Sequence, residues 1–364
     1  MPRHISFAEA RRLILDRADL ERSGWRARDI TDAVREGRML RIQRNRYVLA
    51  EQFDDLWPEA RHLVEIAAAD AERKDGTSVF SYQSAAVLWG LPLARHVPDA
   101  VHVSLPADGR LVSRAALRRH ADRLEPSEIT NPFDVPCTTL ARTLWDVCRV
   151  LPPSSGVAAA DAALRIVAST SGGDPEAVER WRQSVLDIGR RKRGSRGAAR
   201  AGTVIAFANG LAESTGESIA RWMLAEIGFA RFRLQVPVRG PAGSDYRVDI
   251  ELEDENVLVE FDGAVKYRDD ELRAGRHLDD ILLLEKQRED WIRGVTQKRL
   301  VRIGWTDLDT PQVLAARMAA FRISPRPRAR RTRHPLPPPS CTSCALNDCT
   351  SPEPSASCAL VGST

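Results

Sequence analysis

The stretch YRVDIELEDENVLVEFDG, residues 246–263, constrains the chain more than any other. Tyr246, Val248, Ile250 and Leu252 alternate with Arg247, Asp249 and Glu251, and Val257, Val259 and Phe261 alternate with Leu258, Glu260 and Asp262. Successive side chains of a strand point to opposite faces, so this period of two predicts two strands with one apolar face each. The short polar link EDEN predicts an antiparallel hairpin. With the turn centred between Asp254 and Glu255, Asp249 falls opposite Glu260 and Arg247 opposite Asp262. Carboxylates placed directly opposite repel. A divalent cation between them removes that penalty, and Mg²⁺ takes oxygen ligands while keeping waters in its shell. The same residues are also compatible with a slipped register, or with acids that simply face water. Asp262 reads equally as the ion-pair partner of Arg247.

The flanks extend the pattern. STGE at 214–217 is a capping box, so Glu217 either caps a helix or turns toward the hairpin acids and helps hold a metal through water. Ile219, Met223 and Ile227 give that helix an apolar stripe, and Gly228 ends it. Downstream, in DDILLLEKQREDWIRG, the residues Ile281, Leu284 and Trp291 predict a buried stripe that also carries Arg288. A charge on a packing face is costly unless paired, and the hairpin carboxylates would supply the partner. Lys286 falls off the stripe. KRLVRIGW predicts a further strand and TPQVLAARMAAF a closing helix.

At the other end, residues 1–50 predict a winged helix-turn-helix. SFAE at 6–9 is a capping box. RARDITDAVREG predicts a second helix, with Ile30 and Val34 one turn apart and Gly37 as its stop. RMLRIQRNRYVLA predicts a hairpin turning at Asn45, a residue that tolerates left-handed backbone. Arg26, Arg28, Arg35, Arg38, Arg41, Arg44 and Arg46 sit on the second helix and the wing, the elements that meet DNA in such folds. A solvated basic helix, or a wing used for protein contacts, fits the same residues. Tyr47 is expected to pack the wing onto its core.

Residues 55–170 predict an α/β middle domain: helices in EARHLVEIAAADA, SVFSYQSAAVLWG, TTLARTLWDVCRVL and GVAAADAALRIVAS, with a strand in AVHVSLP. His96 and His120 read as isolated. Residues 171–212 form a basic helical linker containing GRRKRGSRGAAR, either a solvated face or a strip that contacts phosphates. Residues 213–323 hold the hairpin domain. From 324 to 364 the chain is rich in Pro, Arg and Ser and is expected to be a disordered tail. Its cysteines, Cys341, Cys344, Cys349 and Cys358, have no His or aromatic residue among them, which favours a disordered tail over a zinc site.

At 364 residues the chain suits about two to three domains. Its net charge of +4 does not by itself announce a nucleic-acid partner, so local clustering carries that argument. The start lacks an apolar signal segment and no apolar run reaches the length of a membrane span, so the expected location is cytoplasmic.

Helix, strand, Asp-bearing strand, Glu-x-Asp strand, helix and strand together resemble the PD-(D/E)XK nuclease superfamily. VEFDGAVKY with LLLEKQREDWIRG and LVRIGWTDL is similar to its very-short-patch-repair-like endonucleases, over roughly residues 213–310. ITDAVREGRMLRIQRNRYVL and VFSYQSAAVLWGLPL resemble the AbiEi-type antitoxins of type IV toxin–antitoxin systems, over about residues 1–165. The fold class implied is multidomain α+β: a winged helix-turn-helix, an α/β middle domain, and a restriction-endonuclease-like α/β domain. The resemblance implies a DNA endonuclease that uses Mg²⁺, with Mn²⁺ as a substitute. In it Asp249 and Glu260 match the metal-binding acids and Glu217 the acid on the first helix. Asp262 stands where the superfamily carries Lys, so Lys266 or Arg288 would have to stabilise the charge that develops on the phosphate. The alternative is an antitoxin or transcriptional repressor whose nuclease fold binds DNA without cutting it. Implied partners are DNA and a cognate toxin, with no membrane.

Overall fold

The computed structural model describes residues 2–73, 78–105, 116–121, 123–263 and 278–326. Those residues form a mixed α/β chain with thirteen α-helices and three sheets. Among them, no helix is long and apolar enough to cross a membrane. Lys266, the tail cysteines and the Pro- and Arg-rich sequence from 327 onward lie outside the described residues.

Helix α1 (Phe7–Leu13) opens on the Ser6 box: Glu9 N–H donates to Ser6 Oγ at 3.2 Å, and Ser6 N–H donates to the Glu9 carboxylate at 2.7 Å. Strand β1 (Leu15–Asp16) and helix α2 (Arg17–Arg22) follow, two short elements that apolar spacing does not mark. Then come α3 (Ala27–Arg35), β2 (Met39–Gln43) and β3 (Arg46–Leu49), with Asn45 left-handed at φ 58° in the turn. The strands order β1-β3-β2. Leu20, Ile30, Ala33, Met39 and Tyr47 bury together beneath them, so Tyr47 is a core residue of this unit.

The middle of the chain contributes α4 (Ala50–Asp54), α5 (Pro58–Glu72), β4 (Val79–Phe80), α6 (Tyr82–Leu88), β5 (Val101–Leu105), β6 (Leu117–Ala121), β7 (Ile129–Thr130), β8 (Cys137–Thr138), α7 (Leu140–Val150), α8 (Pro153–Thr170), α9 (Pro175–Arg191) and α10 (Ala198–Phe207). The strands order β6-β5-β4-β8-β7. Three expectations are corrected by this arrangement. The helix read from residue 78 starts at Tyr82, because Val79 and Phe80 are taken up as a strand between β5 and β8. All five residues of β5 are buried, not every second one, because both faces of the sheet are covered. His120 and His96 are not isolated: His120 Nε2 lies 3.0 Å from His102 Nδ1 and its ring stacks on Tyr82, while His96 lies 3.3 Å from Gln83. Helices α9 and α10 send Val185, Ile188, Ala201, Val204 and Ile205 into the same core as Trp145 and Leu164.

The last unit is α11 (Thr215–Glu226), β9 (Phe232–Arg239), β10 (Asp245–Leu252), β11 (Val257–Asp262), α12 (Leu278–Thr296), β12 (Arg299–Gly304) and α13 (Pro311–Ala320). The sheet orders β12-β11-β10-β9. The first three strands are antiparallel neighbours, and β12 lies parallel to β11, a return that needs a crossover of the kind α12 provides.

The apolar stripe of β10 does not stay on one face. Ile250 and Leu252 pack with Ile219, Leu224, Val259 and Phe261, whereas Tyr246 and Val248 pack with Val236, Leu258 and Ile292. Strand β9 changes sides at the same level, between Leu234 and Val236. Gln235 sits at the change with φ 50°, a left-handed residue that breaks the pleat as a bulge does.

Helix α11 serves two cores. Ile219, Met223 and Leu224 face the sheet, while Trp222 joins the middle core. Asp161 of α8 accepts from Arg221 Nη2 at 3.0 and 2.9 Å, with both side chains buried.

Candidate functional site at a strand fork

One polar row crosses the last sheet at a single level. Val248↔Val236 and Ile250↔Leu234 bracket Asp249 and Gln235. Ile250↔Val259 is the last pair of the β10–β11 ladder, so Asp249 and Glu260 stand one step beyond it, as the hairpin count predicts. Glu260 aligns with Arg302 on β12. Gln235, Asp249, Glu260 and Arg302 therefore occupy all four strands at one height.

The ladder opens at this row, and side chains take over its bonds. Phe261 N–H donates to Asp249 Oδ2 at 2.8 Å. Across the opening, Arg288 Nη2 donates to the Arg247 carbonyl at 2.7 Å and to Glu260 Oε1 at 2.7 Å. A fork that left these groups bare would cost the desolvation of each. The fork is thus closed by a carboxylate on one side and a guanidinium on the other.

Helix α12 supplies that guanidinium from its inner face, where the predicted stripe puts Arg288, but two of the apolar residues predicted beside it face outward, and the Ile281 side chain lies outside the described residues. Leu284 and Trp291 are 50% and 40% exposed. Ile292 is buried, and the partly buried positions beside it are Glu285, Arg288 and Glu289. The inner stripe is charged because it covers a charged row. Arg288 Nη1 also donates to Glu285 at 3.2 Å, and the guanidinium lies 5.6 Å from the Tyr246 ring centre. Arg302 pairs with Glu285 and lies 3.4 Å from Glu289 and 3.8 Å from Glu260. Burial pulls both arginines toward lower pKa. The carboxylates beside them, Glu260 foremost for Arg288 and Glu285 foremost for Arg302, outweigh it and hold both above their ordinary value.

Glu217 reaches the row from α11. Its backbone N–H donates to Ser214 Oγ at 3.1 Å, which is half of the predicted capping box. Its buried carboxylate does not return to Ser214. It accepts from Glu213 N–H at 2.9 Å and from Gln235 Nε2 at 3.1 Å. Gly216 makes this approach possible, since a Cβ there would overlap the Phe261 ring. Asp262 ends β11 level with Gly304. Arg247 directs its guanidinium to Glu213, at 3.8 Å. Gln235, Arg302, Glu285 and Gly216 carry no motif of their own. The signal that could have found Arg302 is its position in LVRIGW, a lone charge in an apolar strand.

The donor chemistry suits a hard cation, since Mg²⁺ takes one or two carboxylates and completes its shell with waters and phosphates. The arrangement does not. Asp249 Oδ2 holds a backbone N–H, Glu260 faces two guanidinium groups, and the bonded oxygen of Glu217 holds an amide and a backbone N–H. Among the described residues, no group of three or more His, Cys, Asp or Glu side chains is placed to hold a metal ion.

The basic residues of the first unit divide in two. Arg46 pairs with Asp16, Arg28 and Arg35 with Asp32, and Arg38 with Glu36. Arg26, Arg41 and Arg44 are exposed, and among the described residues their side chains have no ion-pair partner. Arg44 also lines a cavity of about 680 Å³ between the hairpin tip and the five-stranded sheet, with Arg46, Arg73 and Arg119.

No family model matches the chain. It is 29% identical over 236 residues to the Uncharacterized protein MT2308 of Mycobacterium tuberculosis (strain CDC 1551 / Oshkosh). The figure is the same for the Uncharacterized protein Rv2248 of Mycobacterium tuberculosis (strain ATCC 25618 / H37Rv). In both cases the match spans 63% of this chain and 75% of the relative, so the chain is similar to these two mycobacterial proteins over most of their length.

Proposed function

We propose that this chain is a cytoplasmic DNA-binding protein. Its first unit is a winged helix-turn-helix of the AbiEi antitoxin kind, and its last is a PD-(D/E)XK endonuclease domain whose strand fork meets the phosphodiester backbone. The observation that carries the reading is the polar row on its scaffold: a helix, three antiparallel strands, a crossover helix and a parallel strand, with Asp249 and Glu260 at the fork and Glu217 arriving from the first helix. Arg288 and Arg302 supply the positive charge that a phosphate brought to the fork requires, and a guanidinium matches phosphate with two bonds at once.

Plasmid nicking with Mg²⁺ or Mn²⁺ against EDTA, beside Asp249→Ala, tests this. The expected result is metal-dependent nicking that falls at least about 100-fold in the variant. Nicking that survives in Asp249→Ala removes the fork as the site.

A second reading is favoured by Asp262 standing where the resembled superfamily has Lys, and by the arginines that already hold Glu260. It is a repressor or antitoxin whose last unit binds DNA without cutting. DNA bound but never nicked gives this reading the lead. In both readings Arg26, Arg41 and Arg44 meet phosphates. Replacing them with Ala is expected to flatten the dependence of log affinity on log salt by up to about 0.9 for each phosphate no longer neutralised. Filter binding between low and moderate salt measures the slope, and an unchanged slope removes the first unit as the DNA reader.

A further inference from the structure

We infer that Arg288 and a divalent cation compete for Glu260, so that the fork takes up a cation only when Arg288 is drawn away from it. The inference rests on the fork being the cation site of the reading above, and it starts from the misfit already described. Glu260 is 7% exposed and its Oε1 holds Arg288 Nη2 at 2.7 Å. That same nitrogen seals the β10 side of the fork through the Arg247 carbonyl. A cation entering here would place like charges in contact within a partly buried site, which is unfavourable for both. Arg302 does not substitute for Arg288, since it stands 3.8 Å from Glu260 and its nearer partners are Glu285 and Glu289.

Arg288 has a place to go. Its second nitrogen already holds Glu285 one turn back on the same helix, and the Tyr246 ring flanks the guanidinium. The side chain is 23% exposed, so it reaches solvent at the mouth of the fork. A DNA phosphate arriving there offers two oxygens to one guanidinium, a better match than a single carboxylate oxygen. An anion that draws Arg288 outward thereby frees Glu260 Oε1, and Glu260 with Asp249 would then be the residues to hold the cation. Binding of the two ligands is mutually reinforcing, and by linkage each raises the affinity of the other by the same factor.

Terbium luminescence tests this without relying on cleavage. Tb³⁺ is a hard, oxygen-seeking probe, and Tyr246 beside Arg288 is a sensitiser built into the site. Titrations would compare the full chain with Arg288→Gln and Arg288→Lys, with Mg²⁺ as competitor. Arg288→Gln is expected to bind Tb³⁺ at least about tenfold more tightly than the unsubstituted chain, with Arg288→Lys in between. Adding Glu260→Gln to Arg288→Gln is expected to abolish the gain. A short DNA duplex is expected to raise Tb³⁺ affinity in the unsubstituted chain and not in Arg288→Gln.

Equal affinity across the three proteins overturns the competition, as does a gain that survives Glu260→Gln or the absence of a Tb³⁺ signal in any of them. Should Arg288→Gln not fold, Arg288→Lys and the DNA effect decide the matter, and a failure of both overturns it. The endonuclease reading fails separately. A Tb³⁺ gain with no nicking keeps the competition and removes the nuclease, whereas nicking without a gain does the reverse.

Discussion

Asp161→Ala is expected to lower folding stability by about 3–5 kcal/mol, the scale for breaking one member of a buried ion pair. Asp161 is completely buried on α8 and accepts both Arg221 bonds, and its Oδ1 also takes Asn209 N–H at 2.7 Å. Without it, Arg221 is left as an uncompensated charge under the Phe207 ring, 4.2 Å away, with only the Phe207 carbonyl, at 2.9 Å, to hold it. Urea unfolding measures the loss as a lower midpoint at unchanged slope. Replacing Asp161 with Asn and Arg221 with Met together is expected to cost much less, because no lone charge remains. A loss below about 1 kcal/mol in Asp161→Ala would show that water reaches the pair and screens it.

Acid is expected to weaken the protein through His102 before it reaches the carboxylates. Burial, followed by the charges of His120, Arg118 and His62, lowers the pKa of His102 from 6.5 to about 3, and Asp99 opposes the shift only weakly. A histidine lowered on folding remains neutral in the native state while the unfolded chain takes up a proton. Above pH 6.5 the two states bind equally and His102 contributes no slope. From there down to about pH 3 the unfolded state is favoured progressively, by at most about 1.4 kcal/mol per pH unit. The range from pH 6.5 to 5 lies above most carboxylates, so it isolates the histidines. Urea midpoints in that range are expected to fall with pH, and His102→Gln is expected to flatten the fall whatever its own effect on stability. An equally steep fall in the variant would move the effect to another group.

The physical reason that some of this was legible in the sequence lies in which interactions are local. The Ser6 box, the stops at Gly37 and Gly228, and the hairpin count that brings Asp249 level with Glu260 all depend on neighbours a few residues apart. What was not legible depends on distant partners. A period of two in β10 cannot show that its stripe changes sides, because the change coincides with a break at Gln235 on another strand. Leu284 and Trp291 have the right spacing for a buried stripe. The polar row under α12 turns Glu285, Arg288 and Glu289 inward in their place. Arg288 was legible as a charge needing partners, yet its second role, capping the Arg247 carbonyl, needs the fork itself. The histidines of the middle unit looked separate because residues 102 and 120 meet only when β5 and β6 lie side by side.

Helix α11 gives a different kind of consequence. Its residues are divided between two interiors, with Trp222 in one and Ile219 and Leu224 in the other, and it carries Glu217 at its head. Neither interior can come apart without stripping the other of one wall. The two are therefore expected to unfold together, with heat or denaturant giving a single transition across them. A ligand that tightened the fork would then be felt as added resistance to unfolding as far away as α8, through the Arg221–Asp161 pair. Binding at the fork, if it occurs, would thus be carried as stability, with no moving part needed to relay it.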